Sequence, residues 1–143
     1  MAEATAHDES TGELFARNAR SLRRLWADAA APFGLSPHQV RALRVIGDAP
    51  IRPGALAERL HIAARSVTDV VDSLEQTGLI ARAPDPGDRR AVVLDITPAG
   101  RRTLADVLVA RDQAVEGWLG RLSERDRDEL HRILTLLDPE RHC

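Results

Sequence analysis

The sequence predicts a mainly α fold (α+β) in the order α-α-α-α-β-β-α-α. Three observations carry this. Apolar residues recur at helical spacing over most of the 143 residues, strict alternation replaces that period only around "RAVVLDI", and cap residues mark helix starts on both sides of that change. Aromatics make up 3% and Tyr is absent, so the core must be built from Leu, Val, Ile and Ala, a composition that favours helix. A chain of this length forms one folding unit with a modest core. Residues 1–11 are expected to be a flexible, acidic tail, and 12–143 a single domain.

Each element has its own warrant. Phe15, Ala19, Leu22, Trp26 and Ala29 form the apolar stripe of a first helix that ends near Pro32 and Gly34. Ser36 caps the second, Pro37 suits its first turn, and Gln39 completes a capping-box spacing ahead of Val40, Leu43 and Ile46. "PGALAERL" is a short third helix with Leu56 and Leu60 inward. After a break at "HIA", the fourth places Val67, Val70, Val71 and Leu74 on one stripe, with Gly78 as its C-terminal stop. A short helix, a tight break and a longer helix make a helix-turn-helix. "LIARAP" and "RAVVLDI" read as two strands, with Val92, Leu94 and Ile96 inward and the six residues "DPGDRR" as the turn between them. A hairpin directly after a helix-turn-helix is a wing. Thr97-Pro98 opens a long fifth helix through Leu104, Val107, Leu108, Val115, Trp118, Leu119 and Leu122. Ser123 caps a sixth with Leu130, Ile133, Leu134 and Leu137, stopped by Pro139. Arg111 falls within the apolar stripe of the fifth helix and calls for a carboxylate partner.

Composition narrows the function. The 20 basic residues are all Arg, the net charge is −2 and the pI about 6.2, so nucleic-acid binding would have to come from local clustering. No Gly-rich phosphate loop, nucleophile motif or metal-ligand spacing is present, which argues against an enzyme and predicts neither cofactor nor metal; His142-Cys143 is a weak ligand pair at the terminus. The single cysteine, Cys143, excludes a disulfide framework, and no apolar run approaches a membrane span, so a cytoplasmic protein with no membrane partner is expected.

The segments "GLSPHQVRAL", "LAERL", "RSVTDVVDSLEQTGLIAR" and "DPGDRRAVVLDITPAGR" together resemble the MarR family of winged helix-turn-helix regulators, collinearly over nearly all of residues 12–138. The last segment includes a Leu-x-x-Thr-x-x-Gly pattern at Leu94, Thr97 and Gly100. The resemblance implies a homodimer, with 12–32 and 98–138 as dimerisation helices and 35–97 as the DNA-binding part. It implies a palindromic double-stranded DNA operator, a repressor role and release by a small-molecule effector. The rival reading is a winged-helix module that binds protein, supported by the near-balanced charge.

Within this frame Arg65, at the N-terminal end of the fourth helix, is the candidate for bidentate pairing with guanine. Ser66 and Thr68 are hydroxyl donors to phosphates or bases, with a solvated polar face and a capping Ser66 as the bland alternative. Asp69 either accepts from a cytosine amino group or pairs with Arg82 or Arg65; the pairing is preferred. Residues 63–90 hold four Arg against five Asp/Glu, so an interface here requires that the charges be segregated. Arg82, Arg89 and Arg90 are expected at the backbone and minor groove. The resemblance makes Asp88 and Arg90 the wing's internal brace and Arg89 its free tip, while Pro86-Gly87 stands where relatives often carry another basic residue. Trp26 and His38 are candidates for an effector pocket.

Overall fold

The computed structural model describes residues 9–138, so most of the expected tail, Pro139 and the His142-Cys143 pair lie outside the described residues. Helix α1 (Thr11–Ala30) begins with a capping box: the Ser10 hydroxyl accepts from the Glu13 N–H at 3.2 Å, and Glu13 Oε2 accepts from the Ser10 N–H at 2.9 Å. A 3-10 turn, Ala31–Phe33, closes on Gly34 at φ 71°. Helix α2 (Pro37–Asp48) carries the reciprocal Ser36 and Gln39 bonds that its sequence announces. Helices α3 (Pro53–Leu60) and α4 (Ala64–Gln76) follow, joined through His61 in the left-handed region. Gln39 also donates to Ser73 Oγ at 2.8 Å, which ties the start of α2 to α4.

Gly78, at φ 74°, turns the chain into β1 (Ile80–Asp85), which pairs antiparallel with β2 (Asp88–Ile96), Ile80 opposite Ile96 and Pro84 opposite Val92. The six-residue turn expected from "DPGDRR" is in fact a tip of only Pro86 and Gly87. Pairing continues outward because Asp85 accepts the Gly87 N–H at 2.8 Å, closing the turn from its own side chain. A further backbone pairing, absent from the sequence reading, joins Ile51 to Leu94. The Ile51 N–H donates at 3.0 Å and the Leu94 N–H returns at 2.8 Å, a bridge whose signal was hidden by Pro50 and Pro53 on either side.

Long helix α5 (Pro98–Leu119) starts at a tight joint. The Thr97 hydroxyl donates to the Gly78 carbonyl at 2.6 Å and accepts from the Gly100 N–H at 3.0 Å, while the Thr97 N–H donates to the Leu79 carbonyl at 3.0 Å. A Cβ on Gly100 would collide with the Leu79 carbonyl oxygen and lie 2.8 Å from Ile96 Cγ1. The Leu94, Thr97 and Gly100 pattern therefore encodes a core residue, a cap and a close backbone approach. Helix α6 (Glu124–Leu137), capped by Ser123, is held to α5 by Arg127, which reaches Glu116 at 2.9 Å and the Leu119 carbonyl at 3.1 Å.

One core joins the helix-turn-helix to the wing root and to the middle of α5: Leu43, Ile46, Leu56, Val67, Val71, Leu74, Ile80, Leu94 and Val107 are all buried. Leu94 and Ile96 are buried as alternation requires, but Val92, nearer the hairpin tip, is 42% exposed. The terminal helices are different. Only Ala30 of α1 is buried, α6 buries no residue, and both helices expose large apolar side chains: Leu14 and Phe15 (56%) on α1, and Ile133, Leu134, Leu136 and Leu137 (64%) on α6.

Candidate nucleic-acid interface

The buried stripe of α4, Val67, Val71 and Leu74, leaves Arg65, Ser66, Thr68 and Asp69 exposed together on the opposite face. The N-cap is Ala63, which offers no side-chain acceptor, so the first-turn N–H groups and the positive end of the helix are left for an external anion. Ser66 is not the cap. The Thr68 hydroxyl donates to the Ala64 carbonyl at 3.2 Å, so in this conformation its oxygen is left as an acceptor.

Arg82 sits on β1 and reaches back to α4. It donates to Asp72 at 2.7 Å and also pairs with Glu75, and the Asp72 bond, more than the nearby charges, holds its guanidinium above the usual arginine range. The pairing expected for Asp69 is thus replaced, since Arg82 lies over the later turns of the helix, beside 72 and 75. Among the described residues, no ion pair involves Arg65, Asp69, Arg89 or Arg90.

The wing is braced differently from the sequence reading. Asp88 and Arg90 form no side-chain ion pair; instead Asp88 Oδ1 accepts the Arg90 backbone N–H at 3.0 Å. The brace is Arg52, just before α3, whose Nε and Nη2 each lie 2.6 Å from Asp85 Oδ2. Residues two apart on a strand share a face, so the spacing permits the pair, but local hydrogen bonding takes the Asp88 carboxylate first. Arg52 was missed because 33 residues separate it from Asp85. Gly87's N–H, and then Arg52, hold the Asp85 carboxyl below the usual carboxylate range.

The result is charge segregation. Of the five carboxylates in 63–90, Asp72, Glu75 and Asp85 are neutralised by Arg82 and Arg52, and Asp88 is turned to its own backbone. Among the described residues, Arg65 at the start of α4 and Arg89 and Arg90 on the wing remain outside any ion pair, as do the acids Asp69 and Asp88.

A second cluster lies at the seam of α1, α2 and α5. Arg111 is 8% exposed, finds no carboxylate among the described residues, and its Nε is sealed from solvent without a partner. Its Cζ lies 5.6 Å from the ring centroid of Trp26. Burial, and secondarily the Arg44 charge, push its pKa down. Trp26 thus meets Arg111 rather than His38, which is exposed on the first turn of α2.

This architecture has known counterparts. A family model described as "MarR family" matches residues 33–91. An uncharacterized HTH-type transcriptional regulator of Mycobacterium leprae is 32% identical over 127 residues, 85% of this chain and 86% of that protein. The chain belongs to the MarR family. Escherichia coli MarR in its apo form superposes with TM-score 0.79 at 22% identity, covering 91% of this chain and 98% of that one, a likeness of fold. A MarR family protein of Mycobacterium tuberculosis crystallised with salicylic acid gives TM-score 0.74 at 25% identity, covering 93% and 99%. Against three other curated regulators, from Thauera aromatica and Bacillus subtilis, the match spans 63%, 52% and 56% of their length. The chain therefore has the winged helix-turn-helix fold of the MarR family and spans about half to two thirds of the length of those three relatives. No helix of its described residues is long and apolar enough to cross a membrane.

Proposed function

We propose that this regulator is a homodimeric, sequence-specific DNA-binding repressor of a palindromic operator, released by a small-molecule effector. The observation that carries the reading is the segregated charge: Arg65 at an uncapped helix start, and Arg89 and Arg90 on the wing, stand outside any ion pair while Asp72, Glu75 and Asp85 are neutralised. Arg65, Ser66 and Thr68 then read base edges and phosphates in the major groove, Asp69 faces the bases with them, and Arg89 and Arg90 lie along the minor groove, where a narrow groove concentrates negative potential. Arg82 acts by removing the repulsion of Asp72 and Glu75.

Residues 35–97 form the DNA-binding part. The exposed apolar residues of α1 and α6 support dimerisation through 12–32 and 98–138, since a surface of that character is rarely left to solvent. A twofold dimer places two recognition helices about 34–36 Å apart, one helical turn of DNA. Effector release is supported by the salicylic acid complex of the Mycobacterium tuberculosis relative.

The test is selection of duplexes from a randomised pool by the purified protein, followed by titration against salt. Enrichment of an inverted repeat and a log-log slope of about −0.9 per neutralised phosphate are expected. Absence of duplex affinity at low salt would transfer the reading to a winged-helix module that binds protein.

A further inference from the structure

The ladder of the wing does not run evenly to its tip. Partners step together from Ile80 and Ile96 as far as Pro84 and Val92, and the next pair is Asp85 with Asp88. Nothing separates 84 from 85, whereas Arg89, Arg90 and Ala91 lie between 88 and 92, so these residues of β2 have no partners on β1. An even ladder would place Asp85 opposite Ala91 and leave residues 86–90 as the loop. Irregular registers of this kind recur where a strand has to re-aim a side chain. Here the side chains are the two exposed arginines of the wing, Arg89 and Arg90.

The even ladder meets no obstacle in the backbone. The N–H and C=O of Leu94 are both taken by Ile51, so those of Val92, two residues along, face the same side, away from β1. Pro84, opposite Val92, therefore gives up no ladder bond for want of an N–H. An Asp85–Ala91 pair would come next, as one that exchanges both N–H···O bonds. The observed register holds because Asp85 is engaged elsewhere. Its Oδ1 accepts the Gly87 N–H at 2.8 Å, its Oδ2 lies 2.6 Å from both Nε and Nη2 of Arg52, and the Asp88 N–H draws on the same carboxylate. One side chain thus closes the tip and fastens it to the segment before α3.

We propose that Asp85, clamped by Arg52, is a positioning residue of the DNA interface: it selects the register of the wing and thereby presents Arg89 and Arg90 as unpaired strand residues and not as part of a loop. The register is a property of the free protein; its consequence for DNA rests on the DNA-binding reading above. Asp85 is itself an acid on a hairpin that meets phosphates. Its removal deletes a negative charge and releases the Arg52 cation, and on charge alone both changes tighten duplex binding. Loss of position acts in the opposite direction. The sign of the effect therefore separates the two.

The test pairs nuclear magnetic resonance on the free full chain with duplex titration. Cross-strand proton contacts should join Asp85 to Asp88 in the parent, and residue 85 to Ala91 in Asp85→Ala. Against the duplex enriched from the randomised pool, Asp85→Ala should bind at least several-fold more weakly at low salt, with a salt slope flatter by up to about 2, one for each arginine. Where Arg89→Ala and Arg90→Ala are already combined, the same substitution should weaken nothing further. Asp85→Asn keeps an acceptor for the Gly87 N–H, so it should retain the 85–88 contacts and bind between the parent and Asp85→Ala. Equal or tighter binding by Asp85→Ala, an undiminished loss in the absence of both arginines, or 85–88 contacts that survive in Asp85→Ala would overturn the proposal. If Asp85→Ala does not fold, binding by Asp85→Asn as tight as that of the parent overturns it. A parent that binds no duplex sinks the DNA-binding reading instead, and the resonance contacts still decide whether Asp85 sets the register.

Discussion

Arg82 of β1 donates to Asp72 of α4 at 2.7 Å, and the same guanidinium pairs with Glu75. A strand of the wing thereby cancels the acidity of the helix beside it. The three side chains are 35–49% exposed and open to solvent screening, so the contact adds at most about 1 kcal/mol to folding. Its larger effect is on the field at the helix face. Arg82→Gln should leave the denaturation midpoint nearly unchanged while lowering duplex affinity several-fold at low salt, and Asp72→Asn in the same background should recover part of the loss. Equal affinity of Arg82→Gln and parent would show that Asp72 and Glu75 lie too far from the phosphates to matter.

Arg65 and Arg89 should fail in different ways. Arg65→Ala should cost about 1–3 kcal/mol and relax preference at one base pair in each half-site. Arg89→Ala should weaken all duplexes alike and reduce the salt slope by about 1. Competition against a set of single-base operator variants, repeated at several salt concentrations, separates the two.

Gly100 and Gly117 lie on the same helix in opposite situations. A methyl group on Gly100 meets the Leu79 carbonyl and Ile96, which are fixed in the core, whereas nothing lies within 4 Å of one on Gly117. Overpacking of this kind costs about 1–3 kcal/mol, so Gly100→Ala should lower the chemical denaturation midpoint. Gly117→Ala should raise the midpoint, with a stability gain of about 0.5–1 kcal/mol from the helix preference for Ala.

The Arg52–Asp85 brace sets an acid limit for the wing. The Asp85 carboxyl is held below its ordinary value of about 3.9 by the Gly87 N–H and by Arg52, so its contribution is complete above about pH 4 and disappears as pH falls through the lower, folded value. Amide signals of Asp85, Gly87 and Asp88 should shift together below about pH 4. Arg52→Gln should move that transition upward toward the ordinary value.

The helices were readable because their signals are local. Ser36 and Gln39, three residues apart, announce the same bonds that the structure shows, and the alternation around Leu94 and Ile96 names the correct inward face. What failed did so for lack of local information. Val92 obeys the alternation, yet its exposure depends on how far the body extends beneath the hairpin. Asp88 and Arg90 are near in sequence, but Asp85 finds Arg52 across 33 residues. In the candidate interface the exposed face of α4 was legible as the complement of an apolar stripe. The partners of Arg82 were not, because they depend on the angle at which β1 leaves Gly78. Arg111 was recognisable as an anomaly, and only the packing of α1, α2 and α5 showed that its neighbours are Trp26 and Arg44.

The Ile51–Leu94 pair lends the wing the mechanics of a cantilever. Two backbone bonds clamp β2 to the body at its root, four residues beyond the tip-proximal Arg90, while near the tip the hairpin is tied to the body by the Arg52–Asp85 side-chain pair. On the proposed DNA-binding reading, bending confined to the outer span would let Arg89 and Arg90 follow a groove of varying width without disturbing the alignment of α4. Hydrogen exchange would register this as a gradient along a single strand, slow at Leu94 and fast at Arg89.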